Sequence, residues 1–170
     1  MKRFVFPSAV VMTALMCLPV TVRAGEAGSS ASAGSNGFGS GSASADAYYH
    51  GDGPGMAKTK TRSGKVNFAR GFAIGFDEDG LSLSVSHAVA SRFGPAYAGT
   101  LSMNIGLDGS VSNSFGHALS LGSHRRSAQA GGFAGSTPRG STAGASAGGS
   151  TGFGGRVFTR TWSRSRPRRW

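Results

Sequence analysis

The chain has 170 residues, among them 29 glycines, one cysteine, and 18 lysines and arginines against seven acidic residues, for a formal net charge of +11 at pH 7. A single cysteine excludes a fold held by disulfides, and the few scattered carboxylates and histidines disfavour an enzyme. The strong positive charge favours an anionic partner.

The first 24 residues are predicted to be a cleavable signal peptide. Lys2 and Arg3 form a basic start, residues 10–20 form a short apolar run, and Val22-Arg23-Ala24 is an acceptable cleavage site. The run is too short for a stable membrane helix, and an N-terminal anchor or a buried helix is the alternative. Export would place the protein in the extracellular space or the periplasm.

Cleavage after Ala24 would also change the composition of the chain. It removes Cys17, the only thiol, together with three basic residues, which leaves 15 basic against seven acidic residues. Lipidation of Cys17 is an alternative, but Met16 stands where a lipoprotein signal has a small residue. The mature chain would therefore have a formal charge of +8 and neither a disulfide nor a thiolate metal site.

Two segments rich in glycine, serine and alanine flank the centre of the chain. Residues 25–57 and 134–155 show no apolar period, and we predict both to be flexible linkers. The first segment also contains Phe38, Tyr48 and Tyr49, so an adhesive tract is the alternative there.

Basic residues open the region between the two linkers, residues 58–133, which is predicted to be the folded domain. Lys58, Lys60 and Arg62 alternate with threonines, so they would lie on one side of an extended strand. They form either a charged edge that blocks pairing with other chains or a ladder that binds anions. We favour the edge.

Four stretches of this domain alternate large apolar residues with glycine, alanine, serine or asparagine. Alternation with a period of two is typical of β-strands, because successive side chains point to opposite faces. The predicted fold class is mainly β: a small antiparallel meander of two similar hairpins, with a weaker fifth strand over residues 124–133 and disordered Gly/Ser/Ala-rich flanks. The large residues are Phe68, Phe72, Ile74 and Phe76; Leu81, Leu83, Val85 and Val89; Leu101, Met103, Ile105 and Leu107; and Val111, Phe115, Leu119 and Leu121.

Two acidic turns join these stretches into hairpins. Asp77-Glu78-Asp79-Gly80 lies between the first two stretches and Asp108-Gly109 between the last two, and both have the residues that hairpin turns favour. Ile74-Gly75-Phe76-Asp77 recurs 31 residues later as Ile105-Gly106-Leu107-Asp108. An internal repeat is one explanation, and chance similarity in a biased composition is the other.

The two faces of the predicted sheet raise different questions. No helix with an apolar stripe is visible to cover the bulky face, so we expect a second copy of the protein, or the sheet folded on itself as a sandwich or roll, to cover it. The face of glycine, alanine and serine either packs closely against another sheet or stays solvated. From the bulky face we infer self-association.

Metal binding has two weak candidates. His87 and His117 occupy matching positions of the repeat and suit zinc or copper, and Asp77, Glu78 and Asp79 suit a hard cation such as calcium. Neither set has further ligands at the spacing of known sites. We therefore predict no metal, no other cofactor, no catalytic residue and no small-molecule substrate.

The C-terminal segment, residues 156–170, is the best candidate for a binding function. Arginine pairs with phosphate, sulfate and carboxylate groups, and tryptophan adds stacking or burial at an interface. A disordered solubilising tail is the alternative. The predicted polyanion-binding residues are Arg156, Arg160, Trp162, Arg164, Arg166, Arg168, Arg169 and Trp170.

Together these features favour a secreted, non-enzymatic structural or matrix protein that self-associates through its β-sheet unit. The alternative is a protein that binds a polyanion or a membrane surface through its Arg/Trp tail. The expected partners are further copies of the protein and an anionic polysaccharide or lipid surface. Export disfavours nucleic acid as a partner.

Overall fold

The computed structural model describes residues 25–36, 41–91, 94–122, 125–137, 140–152 and 154–166. This part of the chain contains ten β-strands and no helix, and therefore no helix able to cross a membrane. The strands are β1 (Glu26–Ser35), β2 (Gly41–His50), β3 (Gly55–Arg62), β4 (Val66–Asp77), β5 (Gly80–Ser91), β6 (Ala96–Gly106), β7 (Val111–Leu121), β8 (Arg126–Thr137), β9 (Gly140–Thr151) and β10 (Arg156–Arg166).

The strands form two antiparallel sheets. The larger has six strands in the order β10-β7-β6-β5-β4-β3, and the smaller has four in the order β2-β1-β8-β9. Strands β3 to β7 follow one another as a meander, and β10 returns to pair with β7. The chain passes between the sheets after β2, β7 and β9, so each sheet combines strands that are distant in the chain.

Acidic turns close both predicted hairpins. Asp77 Oδ1 accepts hydrogen bonds from the backbone N–H groups of Asp79 and Gly80, at 2.9 and 3.0 Å. In the second hairpin, Asp108 Oδ1 accepts one from the Ser110 N–H at 2.8 Å. Gly109 there has a φ of +81°, a left-handed conformation that glycine adopts without a steric penalty. These turns set the register of β4 with β5 and of β6 with β7.

The layer between the two sheets consists of small side chains. Among the described residues, every buried apolar side chain of the core is an alanine, and the largest fully buried side chains are asparagine, threonine and serine. Glycines bring the sheets closest together: a methyl group at Gly71 would lie 2.6 Å from the Asp46 carbonyl oxygen, and one at Gly132 would lie 2.7 Å from Thr100 Oγ1. This face of the six-stranded sheet is therefore packed against the other sheet, not solvated.

Hydrogen bonds between hydroxyl and amide side chains connect the sheets across this layer. Ser84 Oγ lies 2.9 Å from Ser29 Oγ and 2.8 Å from the Gly132 carbonyl oxygen, both in the opposite sheet. Asn104 donates from Nδ2 to Ser136 Oγ at 2.9 Å and accepts at Oδ1 from the same hydroxyl at 3.0 Å. Because hydrogen bonds require short distances and favourable angles, these bonds select one relative position of the two sheets.

The prediction of a mainly β, antiparallel fold is confirmed, but the predicted extent was wrong. The described residues form ten strands in two sheets rather than a meander of four or five, and the expected linkers contain β1, β2 and β9. The weak fifth strand corresponds to β8, which lies in the other sheet, and residues 156–166 of the expected tail form β10. The segments rich in glycine, alanine and serine have no alternating pattern of large side chains. Their small-residue faces nevertheless fit the small face of the six-stranded sheet, and this fit lets them fold as strands.

Candidate interaction surface

The large apolar residues of the six-stranded sheet lie on the side that faces away from the four-stranded sheet, which we call the outer face. Leu101 is 47% exposed, Phe158 50% and Trp162 46%. In water such side chains are normally covered, and an extended apolar surface marks an interaction site. The exposed large apolar residues on the outer face include Met56, Val66, Phe76, Leu101, Ile105, Val111, Phe115, Leu121, Phe158 and Trp162.

Strand β3 forms one edge of the outer face and is basic. The register places Lys58 opposite Phe72, Lys60 opposite Arg70, and Arg62 opposite Phe68. All three basic side chains of β3 are exposed and lie on the same face as the large apolar residues. The predicted alternation is thus realised on an edge strand.

Strand β10 forms the opposite edge and contains the predicted polyanion-binding residues. Trp162 pairs with Phe115, so the residues of β10 with the same parity also lie on the outer face. These are Arg156, Phe158, Arg160, Trp162, Arg164 and Arg166, all exposed. Sequence reasoning omitted Phe158 from the set. Arg168, Arg169 and Trp170 lie outside the described residues.

A row of basic and imidazole side chains crosses the outer face from one edge to the other. In the order of the strands it consists of Lys60, Arg70, His87, Gly99, His117 and Arg160, each residue paired with the next. With strands about 4.8 Å apart, this cationic row extends for roughly 24 Å. The positions are far apart in sequence, so only the register reveals the row. The signal available beforehand was the matching position of the two histidines in the repeat.

The centre of the cationic row is recessed, because Gly99 has no side chain there. A methyl group at Gly99 would lie 2.9 Å from His87 Cε1 and 3.1 Å from Tyr97 Oη, so the neighbouring rings lean over this glycine. The His87 and Tyr97 ring centres are 5.5 Å apart, and those of Phe115 and His117 are 5.3 Å apart. Burial, and then the positive charge of Arg70, lower the pKa of His87. His87 is therefore neutral at pH 7.

The outer face carries basic residues without acidic ones in its six strands. The acidic residues of this sheet are in the turns at its end, and Asp77, the acidic residue that β4 contains, points inward and is 6% exposed. The outer-face cations are Lys58, Lys60, Arg62, Arg70, Arg156, Arg160, Arg164 and Arg166. The face thus combines an apolar centre with one sign of charge.

The fold keeps the two histidines of the first metal candidate apart and uses an acidic residue of the second in a turn. Strand β6 lies between His87 and His117, and Asp77 Oδ1 binds the backbone of its own turn. Within the described ranges, no group of three histidine, cysteine or acidic residues is placed to hold a metal ion.

No protein-family model, curated protein sequence or solved structure matches this chain. The functional argument therefore depends on the composition and geometry of the outer face.

Proposed function

We propose that the protein is a secreted, non-enzymatic structural or matrix protein that self-associates through the outer face of its six-stranded sheet. The observation that carries the proposal is the apolar, uncovered outer face above an interior of alanine, serine and glycine. Six strands of about 11 residues give this face an area on the order of 1,000 Å². A standard protein interface uses about 800 Å² of each partner, so the face is large enough for a stable contact.

The composition of the face fits an interface between proteins. Trp162, Phe158 and Phe115 are the kind of large aromatic residues that dominate binding energies. Trp162 pairs with Phe115, and Phe158 lies on the same face of β10, opposite Leu119. Leu101 pairs with Phe115 and with Val85 at the middle of the sheet. Association would remove these side chains from water, which the folded chain by itself does not do.

The basic edges impose a condition on this association. Both edges of the outer face, β3 and β10, carry cations, so any face-to-face pair of copies brings cations near cations at the rim. The same charges disfavour edge-to-edge growth of the sheet, because β3 of one copy would meet β10 of the next. Rim charges are screened by salt, with a Debye length of about 8 Å at physiological ionic strength. Association should therefore strengthen as salt or an anionic polymer is added.

Self-association is tested by placing a charge at the centre of the face. Leu101→Arg should yield a monomer under conditions in which the unmodified protein forms dimers or larger species, measured by light scattering coupled to size-exclusion chromatography. Ser146→Arg is the matched control, because Ser146 is exposed on the outer side of the four-stranded sheet. Circular dichroism checks that both variants fold. A monomeric unmodified protein at high concentration and moderate salt would rule out the proposal.

A second function, binding of a linear acidic polysaccharide, is favoured by the cationic row. The row presents a cation or an imidazole on every strand except β6, where Gly99 lies, over about 24 Å. Aromatic residues lie in the neighbouring rows on both sides, with Phe115 and Trp162 on one and Tyr97 and Phe158 on the other. Cations would pair with the acidic groups of the polymer, while the rings would stack on the sugar units.

Polyanion binding is tested with heparin as the probe. Arg160→Gln should weaken binding about fivefold, since one surface cation near an anionic surface contributes about 1 kcal/mol. Arg125→Gln removes the same charge from an exposed position outside the six-stranded sheet and should have a smaller effect. Equal losses for the two variants would mean that net charge, not the cationic row, determines binding. Anionic lipid vesicles, measured in parallel, distinguish a lipid surface from a polysaccharide.

A further inference from the structure

Asp77 carries a buried carboxylate oxygen without a partner. The residue is 6% exposed, and its Oδ1 is fully used by the turn that follows β4. Its Oδ2 is buried and makes no hydrogen bond. A buried carboxylate oxygen without a hydrogen bond is unfavourable, so this atom indicates a missing partner.

Gly25 is the residue nearest to this oxygen. It is buried directly before β1, and its carbonyl oxygen accepts hydrogen bonds from Ser82 Oγ at 2.5 Å and from the Ser136 N–H at 3.3 Å. A methyl group at Gly25 would overlap Asp77 Oδ2. Because a Cβ lies about 2.5 Å from its own backbone nitrogen, the Gly25 nitrogen is within about 4 Å of Asp77 Oδ2.

We propose that proteolytic processing between Ala24 and Gly25 completes this site. An export endopeptidase would hydrolyse the peptide bond with one water molecule, leaving a carboxylate on Ala24 and an α-ammonium group on Gly25. The α-amino group has an ordinary pKa of about 7.7–8.0, so the new terminus is positively charged at neutral pH. It forms an ion pair with Asp77 Oδ2, replacing an uncharged amide by the counterion that the carboxylate lacks.

Glycine suits position 25 for two reasons. Its φ is +65°, in the left-handed region, and a side chain would displace the Asp77 carboxylate. The Tyr49 hydroxyl also lies in this region, because a methyl group at Gly51 would contact both that hydroxyl and Asp77 Oδ2, and it is buried without a hydrogen bond. Burial, and then the charges of Asp77 and Asp52, raise the pKa of Tyr49. Tyr49 therefore stays neutral, and the new terminus is the cation within reach of Asp77.

The site is independent of the outer face, so its test is separate from that of the proposed function. Protein beginning at Gly25, released from a cleavable tag, is compared with protein that has one alanine ahead of Gly25. The extra residue turns the Gly25 nitrogen back into an amide. We expect its melting temperature to be about 5–10 °C lower, because removing one partner of a buried pair is strongly destabilising.

Two variants identify the partner carboxylate. In Asp77→Asn the extra alanine should change the melting temperature by less than about 2 °C, since the amide oxygen can keep the turn while the charge is lost. Asp108→Asn, in the other acidic turn, should keep the full difference. No difference in the unmodified protein, or an equal difference in Asp77→Asn, would overturn the proposal.

Two further measurements do not depend on the folding of the variants. Mass spectrometry of the exported full-length chain should find Gly25 as the first residue, and any other mature terminus contradicts the proposal. An amine-reactive reagent should label the buried Gly25 terminus more slowly than the exposed Lys58 and Lys60. Labelling of the terminus as fast as these lysines would also contradict it.

Discussion

Replacement of Ser84 by alanine tests whether hydroxyl pairing holds the two sheets together. Ser84 is fully buried, and its Oγ lies 2.9 Å from Ser29 Oγ, 3.0 Å from Ser102 Oγ and 2.8 Å from the Gly132 carbonyl oxygen. A hydroxyl has one proton, and the carbonyl can only accept, so Ser84 donates to Gly132. The hydroxyls of Ser29 and Ser102 must then donate to Ser84.

Ser84→Ala therefore removes three hydrogen bonds and leaves two buried hydroxyl donors without an acceptor. At about 1 kcal/mol for each bond, the free energy of unfolding should fall by about 3 kcal/mol. For a chain of this size, that corresponds to a melting temperature about 6–12 °C lower. Denaturant unfolding followed by circular dichroism measures the first quantity, and thermal melting measures the second.

Ser86→Ala is the matched control for this prediction. Ser86 is fully buried on the same face of the same strand, but its hydroxyl has no hydrogen-bond partner. Deleting an unpaired buried hydroxyl removes a desolvation penalty, so Ser86→Ala should be neutral or slightly stabilising. If Ser84→Ala destabilises no more than Ser86→Ala, the inter-sheet hydroxyl network does not contribute as we describe.

Other predictions concern packing and ionisation. Gly71→Ala should lower the free energy of unfolding by about 1–3 kcal/mol, because the new methyl group would press on the opposite sheet. Gly64→Ala, which has open space around the new methyl group, should leave the free energy of unfolding unchanged. Denaturant titrations measure both. Burial, and then the hydrogen bond to Glu26, raise the pKa of Tyr48 well above its usual 10.0, so alkaline absorbance titration should show late ionisation, and Glu26→Gln should bring it earlier. Since the folded-state pKa is the higher one, this tyrosine's contribution to stability is complete below about pH 10 and is lost as the pH rises further. His87 should titrate below its usual 6.5 in NMR spectra, with its contribution to stability lost as the pH falls.

Local pattern was sufficient to predict the centre of the six-stranded sheet. The alternation of Phe72, Ile74 and their counterparts, together with the Asp-Gly turns, is determined by neighbouring residues, and β4 to β7 follow it. Strands β1, β2 and β9 escaped prediction, because residues such as Ala31 and Ala33 form no pattern of large side chains and become core residues only when they meet the small face of the other sheet. Such complementarity joins segments that are distant in the chain, with 55 residues between Ser29 and Ser84 and 32 between Asn104 and Ser136, and leaves no local signal.

The candidate site shows the same division. The arginines of residues 156–166 were recognised from composition, but their position opposite residues such as Leu121 and His117 depends on the pairing of β10 with β7. The cationic row likewise needs the register of five strand pairs before Lys60 and Arg160 become ends of one line. Charge was visible in the sequence, whereas its geometry was not.

The sequence by itself determined that this protein is basic, rich in β-strands and two-faced, because period-two alternation and turn chemistry are properties of adjacent residues. The tertiary structure decided which face is inside. The small face forms the interior, since glycine, alanine and serine let two sheets approach closely and pair their hydroxyls, and the large apolar residues remain outside. The same packing decided that the Gly25 nitrogen, 52 residues from Asp77 in the chain, lies beside a buried carboxylate.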